Sequence, residues 1–327
     1  MKKTTLIILL ALVLALGAVG LAGCDLDGLS GKVTPGEFET DEQVFGFSAA
    51  SAATVISAMN GGSASEAALA LAPTSEVTDE EVLAELNDYM FLVESILADG
   101  AFGFEIVDSD LEGYAHKMTV SYKDITGAAV DYEMYYNEEV VSSETEWDDG
   151  EEETETVNRI EGVLRVDGVD YPMSGFSEVS TEGDENEREH ELRVDMGDGK
   201  SLVVEQEIEN ERDEQEQEYV YSVYDGRRLV EQSVFSFEQE RDETEIELEQ
   251  RVRGEDGSMT TTLFSFEKEN EHGKEVIRID IRGNGGNVRG SYIVSVETAG
   301  DGSSGYVYTK VGGDGEQHRF GRHHDRD

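Results

Sequence analysis

From Ala101 almost to the C-terminal end, apolar residues return at every second position. Phe102-Phe104-Ile106, Met118-Val120-Tyr122, Tyr132-Met134-Tyr136 and Leu192-Val194-Met196 each alternate with polar neighbours. So do Ile246-Leu248, Phe264-Phe266, Ile277-Ile279-Ile281 and Tyr292-Val294-Val296. A period of two sends successive side chains to opposite faces of an extended chain, so each run is a half-buried strand. Between the runs stand Asp167-Gly168, Gly197-Asp198-Gly199, Asp225-Gly226, Asp256-Gly257, Gly283-Asn284-Gly285-Gly286 and Asp301-Gly302. These are hairpin turns, where Gly, Asn or Asp accepts a positive φ. The spacing predicts about 13–15 strands of roughly 8–12 residues. Parallel strands would need crossover helices, and no helical period interrupts the series. The expected core of the chain is an antiparallel meander over residues 101–311.

Such a sheet has an apolar face to cover and a solvated face of the kind written in Glu205-Glu207-Glu209 and Glu245-Glu247-Glu249. Arg188, Arg193, Arg241, Arg251 and Arg253 are the cations expected to offset like charges across strands. Open sheets seldom exceed about ten strands without curling. The expected fold class is therefore mainly β with an N-terminal α segment: a meander curled into a barrel or half-barrel, packed with one or two helices. The helices come from residues 41–100. Asp41 to Asn60 is rich in Ala and Ser, with Gly61-Gly62 behind it. Thr78-Asp79-Glu80-Glu81 has the form of a capping box, and Val82, Leu83, Leu86, Met90, Val93, Ile96 and Leu97 follow at three- and four-residue steps. That predicts an amphipathic helix from Asp79 to Ala98.

Acidic residues number 74 against 25 basic, a formal net charge of −49. Nucleic acid is excluded as a partner, since neutralising phosphates needs Lys/Arg clusters. Disorder is excluded by the ordered placement of the 13 Tyr and 12 Phe.

The first residues give an address. Met1-Lys2-Lys3, an apolar run from Leu6 to Leu16 and small residues down to Gly23 have the layout of a secretory signal peptide. Leu21-Ala22-Gly23-Cys24, which holds the chain's single cysteine, resembles the lipobox of bacterial lipoproteins. The resemblance covers the leader and Cys24. It implies a diacylglyceryl thioether on Cys24, cleavage between Gly23 and Cys24, and acylation of the new amino terminus. Two or three chains hold a domain at a membrane where one does not. The organisation expected is a signal peptide over 1–23, a lipidated cysteine and flexible tether over 24–40, helices over 41–100, the meander over 101–311 and a disordered tail over 312–327. With Cys24 lipidated, the exported part has no thiol and no disulfide. The protein is then held at the cell membrane on its extracytoplasmic side, with that covalent lipid as its one attached group and no cofactor.

Signals for chemistry are sparse. Asp108, Asp110 and Glu112, with Gly113 behind them, match the first half of a calcium loop, but Thr119 stands at the twelfth position where a bidentate Glu belongs. His318, His323 and His324 with Asp325 offer imidazole and carboxylate to a transition metal from the tail. Gly283-Asn284-Gly285-Gly286 is followed by a strand, not by the helix a phosphate loop requires. Gly-x-Ser-x-Gly and His-Glu-x-x-His are absent. The expected function is a non-enzymatic binding or structural domain. An apolar or acyl ligand in the concavity, divalent cations and, last, hydrolase-type chemistry are the alternatives.

Overall fold

The computed structural model describes residues 30–33, 38, 40–60, 82–83, 86–87, 89–90, 93, 102–123, 129–148, 151–182, 185–211, 214–240, 243–254, 256–271, 274–283, 289–298, 304–312 and 317–321. The expected signal peptide lies outside them.

The described strands are β1 (Ser30–Val33), β2 (Phe102–Asp108), β3 (His116–Lys123), β4 (Ala129–Asp148), β5 (Glu151–Val166) and β6 (Val169–Glu182). They continue with β7 (Glu185–Gly197), β8 (Lys200–Glu211), β9 (Glu214–Asp225), β10 (Arg228–Glu240) and β11 (Glu243–Arg253). The last are β12 (Met259–Glu271), β13 (Lys274–Gly283), β14 (Arg289–Thr298), β15 (Ser304–Lys310) and β16 (Gln317–Gly321). All sixteen form one sheet in strict sequence order, and every neighbouring pair is antiparallel. Among the described residues β1 pairs with β2 alone and β16 with β15 alone, so the sheet is open and not a closed barrel. The meander also runs past its expected limits. β1 lies in the stretch read as a flexible tether, and β16 lies in the stretch read as a disordered tail. A neighbouring strand supplies backbone partners to both, which composition alone does not reveal.

Among the described residues the turns at Asp167-Gly168, Gly197-Asp198-Gly199, Asp225-Gly226 and Asp256-Gly257 fall where expected, while those at 284–286 and 301–302 lie outside them. Asp167-Gly168 and Asp198-Gly199 take positive φ at both residues, 51° and 77° in the first and 52° and 79° in the second. Such primed turns match the right-handed twist of the flanking strands. The acidic stretch 142–158 is the end of the longest hairpin, with β4 running to Asp148 and β5 starting at Glu151.

Helix α1 (Asp41–Asn60) lies on the apolar face and packs on β3, β4, β5, β7 and β8. Thr40 caps it: the Gln43 amide donates to Thr40 Oγ1, and Gln43 Oε1 accepts from the Thr40 amide. Every residue from Val44 to Ser57 is buried. A helix enclosed on all sides shows no polar face, and Ala49, Ala50, Ala52 and Ala53 let the sheet approach it closely. The sheet must curl around it. A Cβ added at Gly46 would meet Met118 and Val120 of β3, while the ring of the next residue, Phe47, lies tilted at 5.0 Å from that of Tyr219 of β9. Laid flat, strands six places apart would be about 29 Å from one another, against a helix about 10–12 Å across. Of the helix expected from Asp79 to Ala98, the described residues Val82, Leu83, Leu86, Asn87, Met90 and Val93 are helical and buried. Tyr89 beside them meets Tyr221 of β9 and donates a 2.7 Å hydrogen bond to Glu231 of β10.

Candidate functional site

Two places on the sheet concentrate groups able to bind a ligand, one on each face. The outer face carries the glutamates. Because strands pair in register, residues of the same parity line up across neighbours, about 4.8 Å apart. Glu187, Glu209, Glu216, Glu238 and Glu245 stand directly opposite one another from β7 to β11. Glu178, Glu189, Glu207 and Glu218 form a second row from β6 to β9. Like charges directly opposite destabilise a sheet. The effect reaches the carboxyls: burial first, then Glu209, Glu189, Glu187 and Glu218, push Glu207 up to about 7. Glu187 is raised too, by burial and then by Glu189 and Glu209. Carboxylate oxygens of Glu187, Glu207 and Glu209 lie within 4.8 Å of one another. A shallow concavity of about 230 Å³ beside them is lined by Glu207, Glu209, Glu216, Glu218 and Glu238.

The inner face holds a polar interruption in an apolar core. Asn158, Ser177, His190 and Gln206 are consecutive cross-strand neighbours on β5, β6, β7 and β8, and each is at least 92% buried. Ser48 of α1 donates its hydroxyl to Gln206 Oε1. The rest is less satisfied: Asn158 Oδ1, Ser177 Oγ and both ring nitrogens of His190 make no hydrogen bond among the described residues. Nor does the hydroxyl of buried Tyr136 on β4. Burial, with Arg188 as a second cause, lowers the His190 imidazole to about 3, so it is neutral at ordinary pH.

The N-terminal turn of α1 closes over this row. Asp41 pairs with Arg188 of β7 at 3.3 Å. Arg188 therefore faces inward, two residues from His190, and not outward among the glutamates as its sequence context suggested. Glu138 of β4 sits opposite Ile160 on the same inner face. Burial, Glu42 and then Asp41 raise its carboxyl to about 7.

The chain matches no family, curated protein or solved structure. Function is therefore argued from these groups alone.

The residues singled out in the sequence fall elsewhere. Asp108, Asp110 and Glu112 are exposed at the β2–β3 turn. That turn is held by Ser109, whose hydroxyl bonds Leu111, and by Asn137, which bridges Gly113 and Ala115. Among the described residues, the acidic and imidazole ligand atoms that gather in a group of three are those of Glu187, Glu207 and Glu209 instead. His318 is part of β16, opposite Tyr308 and edge-on to Tyr292. Gly23, Cys24, His323, His324 and Asp325 lie outside the described residues. His190, Glu138 and Glu42 were not anticipated, though a signal existed. Arg188, His190, Leu192 and Val194 share one parity, which places two basic residues on the apolar face.

Proposed function

We propose that this chain is an exported lipoprotein, anchored at the cell membrane through Cys24. It serves there as a non-enzymatic binding or structural domain whose working surface is the acidic outer face. The observation that supports this reading most is the row Glu187, Glu209, Glu216, Glu238 and Glu245. A sheet tolerates five opposed carboxylates where solvent and counter-ions reach them. The inner face supports the same choice: α1 and the buried helical residues between Val82 and Val93 occupy the place an acyl cargo would take. The outward glutamates also invert the pattern of a membrane-spanning barrel, whose outer band is apolar. The lipid on Cys24 then supplies the membrane attachment.

The spacing of Glu187, Glu207 and Glu209 favours a second reading, in which the outer face collects divalent cations from its surroundings.

Membrane fractionation of the Cys24→Ala protein tests the anchor. The variant should leave the membrane pellet while its far-ultraviolet circular dichroism keeps the β signature. Retention in the membrane by a folded variant would refute lipid anchoring.

A further inference from the structure

Strand β4 outruns its neighbour on one side. β3 pairs with it only as far as His116 opposite Tyr136, whereas β4 continues to Asp148 with β5 beside it. Among the described residues the other edge of β4 is bare from Glu138 to Asp148, about 35 Å of backbone at about 3.3 Å per residue. The N–H and C=O groups along such an edge are a template for one more strand. Helix α1 stops short of this stretch. Glu138 still shares a small cavity with Glu42 and His190 at the first turn of α1. Beyond it, Val140, Ser143, Thr145 and Trp147 fall on the inner face, and all four are exposed.

The side chains define the strand that fits. Trp147 is 71% exposed, Val140 52% and Val141 49%, and Val141 is the extra residue of a bulge. From Asn137 to Asn158 the sequence holds ten acidic residues and no Lys, Arg or His. Glutamates along an edge keep like chains from pairing, which disfavours a second copy of this chain here. Bare Val and Trp among the charges do not serve that end. A basic segment meets both features. In an extended chain alternate side chains take opposite faces, so its cations reach Glu144 and Glu146 while its apolar groups meet Val140 and Trp147. Trp147 can also receive a cation on its ring.

We propose that the bare edge of β4 takes up an extended basic segment of a partner polypeptide as an added β-strand. Main-chain hydrogen bonds to β4 hold the segment, alternate side chains select it, and Trp147 anchors it near the hairpin tip. The edge is apart from the outer glutamate rows of β6 to β11 and does not rest on the Cys24 anchor.

Trp147 is the single tryptophan of the chain, so its emission reports on this edge directly. The probe is a blocked peptide of about ten residues, alternating Lys and Val, added to the full chain at low ionic strength. Trp147 emission should shift to the blue and saturate. Glu144→Gln with Glu146→Gln should weaken binding about tenfold, and Glu207→Gln with Glu209→Gln should leave it intact. The same peptide N-methylated at every residue keeps its charge but has no ladder donors, and it should not bind. Equal binding by the N-methylated peptide or by the Glu144/Glu146 variant overturns the assignment, as does an unchanged emission in the parent. A dimer that forms with rising concentration and shifts Trp147 emission without peptide would give the edge to a second copy instead.

Discussion

Glu138 and His190 face the same cavity and give the fold opposite responses to acid. Glu138 titrates near 7 in the folded chain against an ordinary 4.5. Its favourable contribution is complete below about 4.5 and is lost as pH rises through 7, where the carboxylate must ionise beside Glu42 and Asp41. His190 titrates near 3 against 6.5. Its contribution is complete above 6.5 and is lost as pH falls towards 3, because only the unfolded chain takes up the proton. Glu138→Gln should therefore raise the thermal midpoint at pH 8 by a few degrees and leave it unchanged at pH 4. Glu138 is exposed, so solvent screening keeps the effect small. A variant that melts lower than the parent at pH 8 would show that Glu138 is not held against its neighbours' charge. Reading parity through β7 would have placed His190 inward. No rule of spacing could have brought it to Glu42 and Glu138, which come from distant segments of the sequence.

At the scale of elements, alternation was a sufficient guide wherever strands were long, and failed where they were short. β1 has four residues and β16 five, each containing glycine, so neither is long enough to show a period. Helix α1 was legible in extent from Asp41 to Asn60, but its pattern gave no face because the sheet surrounds it. Its Thr40-x-x-Gln43 cap was the missed signal. Curvature was legible only as a necessity, and small residues on the inner face help to provide it. Gly175 of β6 stands between Ile160 and Leu192, and a Cβ there would come within 2.6 Å of the Glu191 carbonyl oxygen. Gly175→Ala must push β6 and β7 apart, at a cost of about 1–3 kcal/mol by analogy with overpacked cores. The urea midpoint should fall accordingly with an unchanged slope. A midpoint equal to the parent's would mean that β6 and β7 have slack at Gly175 and refute the close approach.

For the whole molecule, charge and fold pull against each other. The chain stands at −49, and removal of the proposed leader would take away Lys2 and Lys3 but no acid. Among the described residues, Lys117 with Glu133, Arg165 with Asp170, Arg251 with Glu249 and Arg278 with Asp280 pair at other positions on the sheet, and Arg188 pairs inward with Asp41. Repulsion therefore outweighs attraction over the sheet, and stability should rise with ionic strength. Going from 0.01 M to 0.15 M salt shortens the screening length from about 30 Å to about 8 Å. That length still exceeds the spacing of about 4.8 Å between adjacent strands. Sodium chloride should thus quiet the interaction between distant rows and leave nearest neighbours repelling one another. A divalent ion seated between Glu187, Glu207 and Glu209 acts on those neighbours directly. The thermal midpoint should climb steadily with sodium chloride, and millimolar calcium should add a further rise at constant ionic strength. Glu207→Gln with Glu209→Gln should abolish the calcium increment while keeping the sodium chloride trend. A midpoint that falls with salt would mean that ion pairs, not the glutamate rows, govern the stability of the sheet.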